Sequence, residues 1–124
     1  MKKEYRVKKG SEIEMIMKSR QSTGNRFFVV YKKENHENEH FRAAISVSKK
    51  FGNAVKRNKI KRQVRAVVSK LDVSPKNDLF IVIKNSANTL DFGDIKKHIT
   101  TLIKKQNILR WRKWTIKKEY YYLY

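Results

Sequence analysis

Residues 49–65 read KKFGNAVKRNKIKRQVR, a basic turn followed by a helix around which the remaining elements are arranged. Gly52 and Asn53 interrupt the strand pattern before them, and Asn53 is a suitable N-cap for a helix over residues 54–71. Along that helix, apolar residues recur at i, i+4, i+7, i+8 and i+11. This spacing predicts a single buried face, formed by Ile60, Val64, Val67, Val68 and Leu71.

The other face of the same helix is polar and basic. Residues 49–65 hold eight Lys and Arg residues, and no Asp or Glu occurs anywhere from residue 40 to residue 71. An ordinary solvated helix usually mixes Glu with Lys at i, i+4, so that alternative is disfavoured. The pattern indicates a surface that binds phosphates. The arc opposite the apolar face carries Asn58, Lys61, Arg62 and Arg65.

Composition limits the class of protein. The chain has 124 residues, enough for one domain with a modest core, and 40% of them are hydrophobic. The formal net charge of +20 repels itself within a domain of this size, so we interpret it as kept for a polyanionic partner. Nucleic acid is favoured over an acidic protein as that partner.

Cysteine, membrane segments and signal peptides are all missing from the sequence. Without cysteine, disulfides and Cys-type zinc sites are excluded, which fits a reducing compartment. No apolar run approaches the ~18 residues of a membrane-spanning helix. The basic start MKKEYRVKKG lacks the apolar stretch of a signal peptide. We therefore expect a cytoplasmic protein with no membrane contact.

Hydrophobic periodicity predicts three helices and locates three strands. Ser11 is expected to cap the first helix, whose apolar face is formed by Ile13, Ile16 and Met17. A polar segment over residues 35–40 is expected to be a hairpin loop joining the first two strands. In chain order the elements are a helix over 11–19, strands over 26–32 and 41–49, the helix over 54–71, a strand over 79–84 and a helix over 92–108.

This order predicts an α+β fold, a two-layer sandwich in which three helices pack on a small four-stranded sheet. The strands on either side of the basic helix are expected to pair in parallel. Residues 1–109 are interpreted as one RNA-binding domain. Residues 110–124 (RWRKWTIKKEYYYLY) differ in character and are interpreted as a basic and aromatic tail, a composition that can hold single-stranded nucleic acid.

The sequence resembles a known family over most of its length. The run SVSKKFGNAVKRNKIKRQVR at residues 46–65 closely resembles the signature of the bacterial ribonuclease P protein subunit. NRFF at residues 25–28 resembles the start of that family's first strand, and YRVKK at residues 5–9 resembles its opening segment. The likeness extends over roughly residues 1–105.

The resemblance implies a ribosomal-protein-like fold with a left-handed strand–helix–strand crossover, and it implies a function. Family members bind a large catalytic RNA, and together the two remove the 5′ leader of precursor tRNA by magnesium-dependent hydrolysis. Because the RNA carries the catalytic Mg²⁺, this chain is expected to supply no catalytic residue and no metal motif, and no obligate protein partner is evident. The RNA-binding residues implied are Lys49, Lys50, Asn53, Arg57, Asn58, Lys61, Arg62 and Arg65.

The resemblance also implies a cleft between the first helix and the sheet that binds the tRNA leader. Its residues here are Ile13 and Met17 on the helix, with Tyr31 and Arg26 on the first strand. The family carries aromatic residues at the helix positions, and aromatic rings stack on unpaired bases. Because Ile and Met give only apolar contact, we expect weaker leader affinity here, or leader contacts placed elsewhere.

Two other classes of function fit the charge and the length. One is a ribosomal or RNA-assembly binding protein of similar fold, and the other is a DNA-binding nucleoid protein. Charge and size do not separate these classes from a ribonuclease P subunit. The signature over residues 46–65 favours the ribonuclease P subunit.

Overall fold

The structure, a computed structural model, describes residues 3–109 of the chain. The tail predicted over residues 110–124 lies outside the described residues, and its boundary at residue 109 stays a prediction. The helices are α1 (Gly10–Lys18), α2 (Ala54–Lys70) and α3 (Phe92–Lys105). The strands are β1 (Ser22–Gly24), β2 (Phe28–Glu34), β3 (Arg42–Val47) and β4 (Asn77–Ile83). Short 3-10 turns lie at Lys3–Tyr5, Lys49–Phe51 and Asn85–Thr89.

The four strands form one mixed sheet in the order β1-β2-β4-β3. β2 pairs antiparallel with both β1 and β4, whereas β3 and β4 pair in parallel, with Ala44 opposite Phe80. The parallel pair is joined by α2, so the predicted strand–helix–strand unit and the α+β class are confirmed. The left-handed sense of this crossover stays a prediction.

The main core lies between the sheet and the pair α2 and α3. Ile60, Val64, Val67 and Val68 of α2 are buried, which confirms the predicted apolar face, and Leu71 packs at its end. The side chain of Asn53 accepts a hydrogen bond from the backbone N–H of Lys56 at 3.0 Å, so the predicted cap is also confirmed. The buried residues opposite these helices are Phe41, just before β3, and the sheet residues Phe28, Val30, Ala43, Leu79, Ile81 and Ile83.

A second, smaller core lies on the other face of the sheet, under α1. Ile16 is 1% exposed and packs with Val7, Ala44 and Phe80. Two helices, α2 and α3, therefore cover one face of the sheet, and α1 covers part of the other face. The part of the second face that α1 leaves uncovered is where the leader cleft was predicted.

The predicted hairpin over residues 35–40 is wrong, because β4 lies between β2 and β3 and the two strands do not pair. The segment instead crosses the end of β4. The side chain of Asn38 donates to Asp78 Oδ1 at 2.7 Å, and the backbone N–H of Asn35 donates to the carbonyl oxygen of Lys76 at 2.8 Å. Pairing between distant strands outweighed the local preference for a hairpin.

The first helix also differs from the prediction at its start. It begins at Gly10, with Lys9 at the N-cap position and no side-chain cap, so Ser11 is inside the helix and does not cap it. Met17 is 44% exposed and lies off the buried face, where Ile13 and Ile16 contact the core. At the other end of the chain, α3 ends at Lys105, three residues before the predicted end.

Candidate RNA-binding surface

The turn before α2 is fixed by one buried aromatic residue. Phe51 is 7% exposed and anchors the 3-10 turn Lys49–Phe51 in the main core. Lys49 and Lys50 on the same turn are exposed, as is the cap residue Asn53. Three of the predicted RNA-binding residues thus project from an anchored turn that leads directly into the first turn of α2, where free backbone N–H groups favour anions.

The predicted arc on α2 lines a shallow surface cleft of about 540 Å³. One member of this cleft, Arg6, was not predicted, because it comes from a segment distant in the sequence. Arg6 forms a parallel bridge with Ala43 of β3, and the backbone N–H of Val7 donates to the carbonyl oxygen of Ala43 at 3.0 Å. The pairing places the N-terminal segment beside α2. The polar residues lining the cleft are Arg6, Asn58, Lys61, Arg62 and Arg65.

The cations that α2 contributes to this cleft have no acidic partner among the described residues. Within residues 3–109, no ion pair involves Lys61, Arg62 or Arg65. Partial burial, together with the neighbouring charge of Arg6, lowers the pKa of Arg65 below its ordinary value. A guanidinium nevertheless stays protonated in proteins, so the like charges remain side by side. An arrangement of this kind is relieved by a bound anion such as an RNA phosphate.

Arg57 differs from the other predicted residues in the role that the structure gives it. Its Nη1 donates to the carbonyl oxygen of Gly52 at 3.1 Å, and the side chain is half-buried. It therefore ties the first turn of α2 to the preceding turn and does not line the cleft with Arg62. The remaining nitrogens of its guanidinium can still bind a phosphate near Asn53.

The predicted leader cleft has a partly buried floor. Tyr31 lies opposite Phe80 in the sheet, and their stacked rings are 5.9 Å apart between centroids. Ile13 contacts the same cluster from α1. The next row across the strands, Val29, Val82 and Ser46, is half-buried or exposed, and sequence analysis did not identify it as part of the cleft.

The other two predicted cleft residues are placed differently. Met17 is exposed beside Ile13 on α1, at i+4, and can line the mouth of the cleft. Arg26 precedes β2, and its guanidinium lies 5.2 Å from the ring centroid of Phe27. That ring is 4.8 Å from His98 of α3, so the contact directs Arg26 toward α3. The structure brings Ile13 and Tyr31 together and does not join Arg26 to them.

A charged network fastens α1 to the sheet beside this cleft. Arg42 of β3 donates from Nε and Nη2 to the two carboxylate oxygens of Asp78, at 3.0 and 2.8 Å, and from Nη2 to Glu12 of α1 at 2.7 Å. Asn38 and Asn35 donate to the same carboxylate, at 2.7 and 3.1 Å. This network was not predicted, because its members are distant from one another in the sequence.

The network fixes the ionisation of Asp78, which is 4% exposed. Burial raises the pKa of this carboxyl group, but the hydrogen bonds from Arg42, Asn38 and Asn35 outweigh burial. The net pKa of Asp78 lies below its ordinary value, and hydrogen bonding to Asp78 raises the pKa of Arg42. Both groups are therefore charged at neutral pH, and the position of α1 depends on their pairing.

The described residues contain neither a cluster of metal ligands nor a membrane-spanning helix. Within residues 3–109, no group of three or more His, Asp or Glu side chains is arranged to hold a metal ion. No helix in the same part of the chain is long and apolar enough to cross a membrane.

Comparison with known proteins gives consistent results. The family model described as Ribonuclease P matches residues 1–107. The ribonuclease P protein component of Listeria innocua is 39% identical over 112 residues, covering 89% of this chain and 94% of that protein. The corresponding protein of Acholeplasma laidlawii is 40% identical over 111 residues, covering 88% of this chain and 95% of that protein.

Solved structures agree with the sequence comparison. The RNase P protein of Staphylococcus aureus superposes with a TM-score of 0.78 at 38% identity, covering 86% of this chain and 98% of that one. The RNase P protein of Thermotoga maritima superposes with a TM-score of 0.72 at 26% identity, covering 81% and 96%. Of the three classes of function that fit the charge and the length, these matches support the ribonuclease P subunit.

Proposed function

Because the chain belongs to the ribonuclease P protein family, we propose that it binds the catalytic RNA of ribonuclease P and assists removal of the 5′ leader from precursor tRNA. The observation that carries this proposal is the cleft on α2, where Arg6, Lys61, Arg62 and Arg65 come together. Their combined charge suits the closely spaced phosphates of a folded RNA.

The chemistry is assigned to the RNA partner and its bound Mg²⁺. The chain contributes cations that reduce repulsion between RNA phosphates, and Mg²⁺ otherwise has to supply that neutralisation. We therefore expect the chain to lower the magnesium concentration that the RNA needs for cleavage.

The leader of precursor tRNA is proposed to lie between α1 and the open row of the sheet. Ile13 and Tyr31 form the inner part of this cleft, and the exposed side chain of Met17 stands at its mouth. The ion pair between Arg42 and Glu12 helps to set the distance between α1 and the sheet. The width of the cleft thus depends on a charged contact as well as on apolar packing.

Met17→Phe is predicted to strengthen binding of the leader. The substitution restores an aromatic ring at an exposed position of the cleft, where it can stack on an unpaired base. We expect about a fivefold gain in affinity for precursor tRNA with a leader, which is about 1 kcal/mol and the lower end of the ~1–3 kcal/mol that such stacking can supply. The measurement is equilibrium binding of precursor and mature tRNA to the chain assembled with the catalytic RNA.

Met15→Phe is the matched control, because Met15 is 54% exposed on α1 and does not lie on the same side of the helix as Ile13 and Met17. It should leave leader affinity unchanged. An equal gain from both variants would count against the proposed position of the leader. Tyr31→Ala should reduce the preference for precursor tRNA with a leader over mature tRNA. An unchanged preference in this variant would contradict the placement of Tyr31 at the floor of the leader cleft.

A competition experiment separates the proposed function from the two alternatives. The full chain is bound to labelled ribonuclease P RNA at moderate salt, and unlabelled ribosomal RNA or duplex DNA is added as competitor. We expect neither competitor to displace the labelled RNA at equal nucleotide concentration. Displacement by ribosomal RNA would support the ribosomal class, and displacement by duplex DNA would support the nucleoid class.

A further inference from the structure

A second groove lies on the flank of α2 away from the basic cleft. It runs between the start of α2 and the segment that leads into α3, and its volume is about 420 Å³. Phe51, Ile60 and Ala87 line it, and each of them is at least nine-tenths buried. The groove therefore has an apolar floor that belongs to the main core.

The polar wall of this groove comes from α2. Lys56, Lys59 and Gln63 line it, at i, i+3 and i+7, so they share one side of the helix. None of them lines the cleft formed by Asn58 and Arg62. The helix thus has two separate polar sides, and each side carries cations.

The stem of Lys56 lies against Gly52. A Cβ atom added to Gly52 would lie 3.0 Å from Cδ and 3.2 Å from Cβ of Lys56. The aliphatic part of this lysine therefore lies close over the glycine, which leaves little freedom to its first carbons. Restricting the stem lowers the entropy that the side chain loses when its ammonium binds an anion.

The opposite wall carries an aromatic residue. Phe92 is 43% exposed on the first turn of α3, although a phenylalanine gains free energy by burial. Asn88 is exposed nearby, and Asp91 lines the groove while its Oδ1 accepts the hydrogen bond from the backbone N–H of Asp94 at 2.8 Å. The groove thus offers an aromatic face, amide groups and two ammonium groups, and it also contains the capping carboxylate of Asp91.

We propose that this groove binds a single unpaired nucleotide of RNA. The base stacks on Phe92, the phosphate lies between Lys56 and Lys59, and the amide of Gln63 or Asn88 contacts the base edge. The cations favour a phosphate over an uncharged ligand, and the volume falls in the range of pockets that hold small ligands. That the nucleotide belongs to ribonuclease P RNA rests on the proposed function. The ability of the groove to bind a nucleotide does not rest on the proposed function.

The test is nuclear magnetic resonance of the full ¹⁵N-labelled chain titrated with adenosine 5′-monophosphate. Ribose 5-phosphate, which has the phosphate and lacks the base, is titrated in parallel. We expect saturable shifts in the amide signals of Lys59, Asn88 and Phe92 with the nucleotide, and much smaller shifts there with the sugar phosphate. Phe92→Ala should weaken nucleotide binding by about fivefold or more, whereas Phe92→Tyr should retain it.

Arg62→Ala serves as the control, because Arg62 lies in the other cleft. It should leave the shifts in the groove unchanged. Equal shifts with ribose 5-phosphate, or binding unaffected by Phe92→Ala, would overturn the proposal. Because the probe is a nucleotide and no ribonuclease P RNA is present, failure here leaves the proposed function standing. A failure of the competition experiment would likewise leave a positive result here valid.

Discussion

Replacing Lys61, Arg62 and Arg65 together by Gln is expected to lower the affinity of the chain for ribonuclease P RNA by about a thousandfold. One charge-assisted hydrogen bond contributes about 1.5–3 kcal/mol, and the three residues share one cleft, so their losses do not add fully. A total of about 4 kcal/mol corresponds to that factor. Arg62→Ala alone should cost about 1–3 kcal/mol. Equilibrium binding across a salt series is the measurement, and the triple variant should lower the salt slope by roughly 3.

The control is a second triple variant with the same loss of charge on α3. Lys96, Lys97 and Lys104 are exposed on that helix and do not line the cleft. Their replacement by Gln should weaken binding only slightly. Equal losses from the two variants would mean that net charge, and not the cleft on α2, determines affinity. Circular dichroism should show native folding for both variants, because the replaced residues lie outside the buried faces of α2 and α3.

Asp78→Asn is expected to destabilise the chain by about 2 kcal/mol at neutral pH, within the ~1.5–3 kcal/mol of a hydrogen bond to a charged group, because Arg42 is half-buried and keeps its pairing with Glu12. The substitution keeps the shape of the side chain and leaves the guanidinium of Arg42 without its buried carboxylate. Asn38 and Asn35 also lose a charged acceptor. Urea unfolding followed by circular dichroism measures the loss. Glu34→Gln, at an exposed position on β2, should change stability little.

The same carboxylate predicts a pH dependence. The folded pKa of Asp78 lies below its ordinary value, so the unfolded chain binds this proton more readily than the folded chain does. Its contribution to stability is complete above the ordinary pKa of about 3.9. It is lost as the pH falls through the lower folded pKa. Between pH 5 and pH 3, Asp78→Asn should therefore lose less stability than the unaltered chain, and parallel losses would contradict the assignment.

The parts of the fold that could be predicted from the sequence are those set by local periodicity. In α2, the helical repeat of 3.6 residues per turn places Ile60 and Val64 on the side that faces the core. The same repeat places Lys61 and Arg65 on the side that lines the cleft. The cap at Asn53 requires contacts only within the first turn. Such features depend on neighbours in the chain, so reading the sequence was sufficient for them.

The parts that could not be predicted depend on contacts between distant residues. The hairpin over residues 35–40 was wrong because β4, more than forty residues after the end of β2, pairs better with both neighbouring strands. β1 has only three residues, too few for an alternating pattern to identify. Arg6 joins the cleft only because its segment pairs with Ala43. The exposure of Met17 depends on which side of α1 packs on the sheet, and Ile13 and Ile16 occupy that side.

The most direct test of the central claim is cleavage of a leader-bearing precursor tRNA by ribonuclease P RNA at low millimolar magnesium. The reaction is run without protein, with the unaltered chain, with the triple variant of α2 and with the triple variant of α3. We predict cleavage at the mature 5′ end with the unaltered chain and the α3 variant, and little cleavage otherwise. No stimulation by the unaltered chain despite tight RNA binding, or full stimulation by the α2 variant, would contradict the account.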